Sequence, residues 1–164
     1  MNGMHGYTYI EVLTASLLII VVGLVIALFM NPSYQVARER DAIREDAVRE
    51  YMEAFLDVQL EDPERFEEIL EEVQTDRTMI GVATDCSGSF GAACADSVLK
   101  DVCMDASGDV VPVYLDEMII DPVDGFSERR TGFYAAYIGG IFEVGACYPE
   151  TRDAIQLQKR FDWE

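Results

Sequence analysis

The feature that most constrains this chain is a long run without charge. From Val12 to Ala37 there is no Asp, Glu, Lys or Arg, and from Val12 to Met30 nearly every residue is apolar. At a helical rise of about 1.5 Å, the segment to Met30 spans roughly 28 Å, close to the hydrocarbon thickness of a bilayer. A short polar leader precedes it, and one carboxylate, Glu11, sits just inside its start. An acid there costs on the order of 2.5–3.5 kcal/mol at mid-membrane and less near the interface, so it needs a partner. An ordinary secretory signal would have a basic start and a small-residue cleavage site after the apolar core. Here no Lys or Arg precedes the run, and Ala27 to Pro32 offers no small-x-small site. The apolar segment therefore reads as part of the mature chain.

Composition adds two constraints. The 164 residues suffice for one domain beside a membrane segment. Against 12 Lys and Arg stand 31 Asp and Glu, a formal charge of -19. Such a surface repels nucleic acid, so no direct nucleic-acid partner is expected, and it suits an exported protein that must stay soluble. All four cysteines, Cys86, Cys94, Cys103 and Cys147, lie beyond the apolar segment. An even number in an exported domain points to two disulfides. Of the three possible pairings, Cys86 with Cys94 and Cys103 with Cys147 would close a Gly/Ser-rich loop and tie a middle helix to the last strand. The spacing does not suit zinc, because there is no CxxC and the one histidine is His5. Without a second histidine, Ser-His and Cys-His catalysis lack a base. No catalytic residue, cofactor or metal site is assigned, and the chain is not expected to be an enzyme.

The start of the apolar run carries a specific pattern: Gly6, Tyr7, Thr8, Tyr9, Ile10, Glu11, Val12 and Leu13. It resembles the type IV prepilin signal, which reads glycine, aromatic, threonine, any residue, hydrophobic, glutamate, hydrophobic, leucine. The resemblance implies that prepilin peptidase cuts between Gly6 and Tyr7 and methylates the new Tyr7 amine. Glu11 would then be the fifth residue of the mature chain. The implied partners are identical or related pilin subunits in a helical filament, the peptidase, the membrane before assembly, and the membrane platform of an assembly machine. The expected partner of Glu11 is a Tyr7 amine, on its own chain or a neighbour's. That pair would neutralise both groups as a subunit leaves lipid, and would fix the register between neighbours. The implied location is the inner or cytoplasmic membrane, single-pass with the C-terminal domain outside, and later an extracellular or periplasmic filament.

Two looser likenesses follow. Asn31-Pro32, Gln35, Arg40-Asp41, Arg44 and Asp46 resemble a bacterial subgroup of pilin-like proteins, although a solvated amphipathic helix accounts for these charges equally well. Asp121-Pro122 ahead of Gly125 resembles the loop of the major pseudopilins of type II secretion, where the loop can bind calcium. Asp116, Asp121 and Asp124 would be the oxygen ligands. Ordinary turn chemistry explains the same residues, and they are not counted as a site.

Along the chain, residues 1–6 form the leader, 7–30 a transmembrane or filament-core helix, 31–58 its amphipathic continuation, and 59–164 an extracytoplasmic globular domain. Asn31-Pro32 should interrupt the helix. Val36, Ile43, Ala47, Tyr51, Phe55 and Val58 fall at helical spacing and predict one buried stripe, with Asp41–Arg44 and Glu45–Arg49 close enough to pair. A second helix is predicted over 59–74, with Asp62 as N-cap, Pro63 at its first position, and Phe66, Ile69, Leu70 and Val73 buried. A short strand is predicted near Met79–Ala83, a short helix over Ser97–Met104, and a strand over Val110–Leu115. Strands at Phe133–Ile138 and Ile141–Cys147 should form a hairpin through Gly139-Gly140. The tail from Pro149, with Phe161 and Trp163, reads as a docked short helix or loose. The predicted fold class is α+β and type IV pilin-like, a long N-terminal helix packed on a small antiparallel sheet. The competing reading is a membrane-anchored extracytoplasmic binding domain or enzyme that never polymerises.

Overall fold

The structure, a computed structural model, describes residues 7–29, 31–82 and 103–161. The chain divides into two compact units, Met1–Val36 and Ala37–Glu164.

The first unit is dominated by helix α1 (Tyr9–Phe29). Twenty-one residues rise about 32 Å, long enough to cross a bilayer. Every described side chain from Tyr7 to Ala27 is exposed. The predicted interruption is seen at Asn31, which belongs to neither helix: α1 is described to Phe29, and α2 (Pro32–Glu61) starts on Pro32. Proline suits a first helical position, where its missing N–H costs no hydrogen bond.

In the second unit, α2 and α3 (Pro63–Glu72) pack on a sheet with strand order β2-β1-β3-β4-β5. The strands are β1 (Thr78–Gly81), β2 (Met104–Asp105), β3 (Phe133–Ile138), β4 (Ile141–Ala146) and β5 (Gln156–Arg160). The sheet is mixed: β1 and β2 run parallel and the other neighbours antiparallel. The hairpin turns through Gly139-Gly140, both at positive φ, where glycine carries no steric penalty. Registers Ala135↔Val144 and Tyr137↔Phe142 place alternate residues of β3 and β4 on the face toward the helices.

The core lies on that face. Ala47, Tyr51, Phe55 and Val58 of α2 are buried, as are Phe66, Ile69, Leu70 and Val73 in and just beyond α3. Ring contacts join helices to sheet: Tyr51 to Phe133 at 5.6 Å, Phe55 to Phe142 at 5.2 Å and Phe66 to Phe142 at 5.7 Å. Each such aromatic contributes on the order of 1.5–3 kcal/mol by burial. The α3 start forms as predicted, with Asp62 accepting from Arg65 N and Pro63 at the first position.

Five expectations need correction. Val36 and Ile43 are exposed, at 46% and 51%, so the upper stripe of α2 is not the apolar one. Val110–Leu115 is not a strand but consecutive turns, with Val110 N donating to Ala106 O and Tyr114 N to Val110 O. Pro112 has no N–H to give a ladder. Met104 is not the end of a helix: it pairs in β2 with Ile80 of β1, while 97–102 lie outside the described residues. The tail is neither helix nor loose over 156–160. Leu157 sits opposite Val144 in β5, which extends the sheet from the edge that β4 would otherwise leave open. The sheet is not purely antiparallel, because β2 joins β1 in parallel.

Candidate functional site

Two arrangements of polar groups stand out, one in each unit. In the first unit, Glu11 is the third helical residue after Thr8. Thr8 N donates to Glu11 Oε2 at 2.8 Å, Thr8 Oγ1 donates to the same oxygen at 2.9 Å, and Glu11 N donates to Thr8 Oγ1 at 3.3 Å. This is a reciprocal capping box, which satisfies helix-start donors that have no carbonyl partner. Thr8-x-x-Glu11 was its signal in the sequence, and reasoning from the apolar run passed over it. Tyr7 beside it is 86% exposed. Gly6, the residue before the expected cut, lies outside the described residues.

In the second unit, α2 turns two charged residues inward where the apolar stripe was expected. Asp41 and Arg44 continue, at helical spacing, the stripe of Ala47, Tyr51, Phe55 and Val58, and both are buried. Arg44 Nε donates to Asp121 Oδ2 at 2.7 Å and Nη2 to Asp121 Oδ1 at 3.0 Å, a two-pronged pair across 77 residues. Its Nη1 donates to Asp41 Oδ1 at 2.7 Å and Glu150 Oε1 at 2.9 Å. Arg40 also grips Glu150 through Nε, at 2.7 Å, and Nη2. Asp41 accepts from Glu150 N, from Thr151 N at 2.7 Å and from Thr151 Oγ1 at 2.6 Å. Outside this cluster, Arg152 reaches Glu45 at 2.8 Å. The predicted Asp41–Arg44 pair is thus present. Arg49 pairs with Asp46, and Glu45 with Arg152, in place of the predicted Glu45–Arg49 pair.

The electrostatics follow from these contacts. Burial opposes the charge on Asp41, but the donors from Thr151, Glu150 and Arg44 outweigh it and hold the carboxyl down at about 2. Burial likewise opposes the charge on Arg44, and Asp121, Asp41 and Glu150 more than compensate, so the guanidinium stays above its ordinary range. The Arg40 hydrogen bonds lead in lowering Glu150. Groups so firmly held in their charged forms exchange no protons near neutral pH. The cluster's work is mechanical: it fastens the first buried turn of α2 to the loop after β4 and to the Asp121 turn.

Asp121 is therefore committed to Arg44 and to Val123 N, at 3.0 Å, and does not face outward with Asp116 and Asp124, which are exposed. Among the described residues no group of three or more His, Cys, Asp or Glu could hold a metal ion. Tyr51 offers no reactive phenol: burial pushes it up, and its hydroxyl donates to Ile119 O at 2.9 Å. Cys103 and Cys147 are buried in one cluster with Met79 and Tyr134, and neither is a free thiol. Cys86 and Cys94 lie outside the described residues.

Compared with known proteins, the chain matches no family model, no curated protein and no solved structure.

Proposed function

We propose that this chain is a structural subunit of a type IV pilus or of a type II secretion-like pseudopilus, cut by prepilin peptidase after Gly6 and polymerised through α1. One observation carries the reading. A 21-residue helix whose one charged residue is Glu11, in its first turn, leaves every described side chain from Tyr9 to Ala27 exposed. Such a surface is stable in lipid or against other apolar helices rather than in water. The pattern from Gly6 to Leu13 adds the family-specific element. In this account the precursor sits single-pass in the inner or cytoplasmic membrane with the acidic domain outside, where its four cysteines close as two disulfides. Cleavage releases the Tyr7 amine, and α1 moves from bilayer to filament without exposing its apolar face to water.

A second reading has its own support. The capping box gives Glu11 a local task that needs no neighbouring subunit. A membrane-anchored domain that never polymerises would use the acid in this way alone. Cleavage separates the two readings, since a domain that never polymerises keeps the Gly6–Tyr7 bond and tolerates Glu11→Ala. The filament reading expects the variant to be cleaved after Gly6 but left out of filaments, as read by immunoblot of sheared and membrane fractions. Normal filament incorporation would refute the assembly role of Glu11.

A further inference from the structure

Strand β5 ends the sheet, and its outer edge has no strand against it among the described residues. Ala146 N donates to Ile155 O, and Phe161 N donates to Gly140 O. By strand alternation, the odd residues turn their backbone toward β4, and Gln156, Gln158 and Arg160 turn theirs outward. All five side chains of β5 are exposed. Lys159 and Arg160 take part in no ion pair among the described residues, on a chain of charge -19.

Elsewhere in the same unit is an open cleft of about 600 Å³. Its floor is apolar, with Met118 and Ile119, and its rim is acidic, with Glu50, Asp116, Glu117 and Glu128. These four carboxylates are exposed and have no ion pair among the described residues. The cleft and β5 are complementary: one is acidic around an apolar floor, and the other is a strand with Leu157 between glutamines and two cations at its end.

We propose that β5 of one copy docks in the Glu50–Glu117 cleft of a second copy. The two patches are different surfaces of one chain, so the contact is head-to-tail. Repeated without closure, a head-to-tail contact generates a helical filament. Charges at an edge strand also discourage pairing with arbitrary strands, which restricts β5 to an acidic receiver. The inference rests on the filament reading and adds to it a contact between globular domains.

The test is zero-length carbodiimide cross-linking of the full chain, mixed from ¹⁴N- and ¹⁵N-labelled copies, in detergent and in sheared filaments. The expected product joins Lys159 of one isotope to Glu50, Asp116, Glu117 or Glu128 of the other. Lys159→Glu with Arg160→Glu should lose the link and lower filament yield, and co-expression with Glu50→Lys and Glu117→Lys should restore both. Filaments of normal yield from the Lys159/Arg160 variant, with no such link in the parent, would overturn the contact and leave the filament reading standing. The link in detergent with filaments in no fraction would keep the contact and sink the filament reading.

Discussion

Replacing Arg44 by methionine probes the strongest polar feature of the second unit. Arg44 is fully buried and is the common partner of Asp41, Asp121 and Glu150. Methionine fills much of the same volume but donates nothing. Asp121 would keep only Val123 N, while Asp41 would retain its bonds from Glu150 N and Thr151. Removing one partner of a buried ion pair costs about 3–5 kcal/mol, because the remaining charge is stranded. For a domain of this size each kcal/mol moves the thermal midpoint by roughly 3–6 °C, so the variant should melt about 10–30 °C lower. Replacing Asp121 by leucine as well removes the stranded charge, so the double variant should recover part of the loss. The assay is denaturant and thermal unfolding of the full chain in detergent, followed by near-ultraviolet circular dichroism. A loss below about 1 kcal/mol for Arg44→Met, the range of exposed pairs, would refute the claim that this cluster fastens α2.

Three further outcomes follow from the structure. Asp41 has a folded value of about 2 against an ordinary 3.8, so its contribution of roughly 2 kcal/mol is complete above about pH 4 and lost as pH falls toward 2; Asp41→Asn should flatten that part of the stability–pH curve. Asp62→Ala removes the acceptor for Arg65 N at the start of α3 and should cost about 1 kcal/mol in urea unfolding. Gly81→Ala would set a methyl 2.1 Å from the Arg129 carbonyl oxygen, which must shift backbone. It should cost about 1–3 kcal/mol or more, whereas Gly23→Ala, with nothing within 4 Å, should leave the helical circular dichroism of α1 intact.

Where local rules decide the structure, the sequence was readable. Asp62-Pro63 marked the α3 start, Gly139-Gly140 the hairpin, and Asn31-Pro32 the break between α1 and α2. Contacts between distant residues were not readable in this way. Nothing near Asp121 announces that its partner is Arg44, 77 residues earlier, so turn chemistry and a cation loop were the natural readings. The α2 stripe misled because hydrophobicity was allowed to choose its upper members. Asp41 and Arg44 keep the same helical phase as Ala47, Tyr51 and Phe55, and a charge pair in phase with a buried stripe was the available signal. β5 escaped because its polar alternation, Gln-Leu-Gln-Lys-Arg, has only one apolar residue to mark an inward face. Thr8-x-x-Glu11 is legible as a cap, yet the cost of an acid in an apolar helix points first to the Tyr7 amine, on the same chain or a neighbour's.

The central claim is that α1 serves a filament after cleavage at its start. The most direct measurement is intact-mass and N-terminal peptide spectrometry on sheared surface filaments and on membranes from the native host. The account predicts a chain that begins at Tyr7, carries a methylated amine and is found in the filament fraction. A chain that still begins at Met1 and stays in the membrane would contradict it.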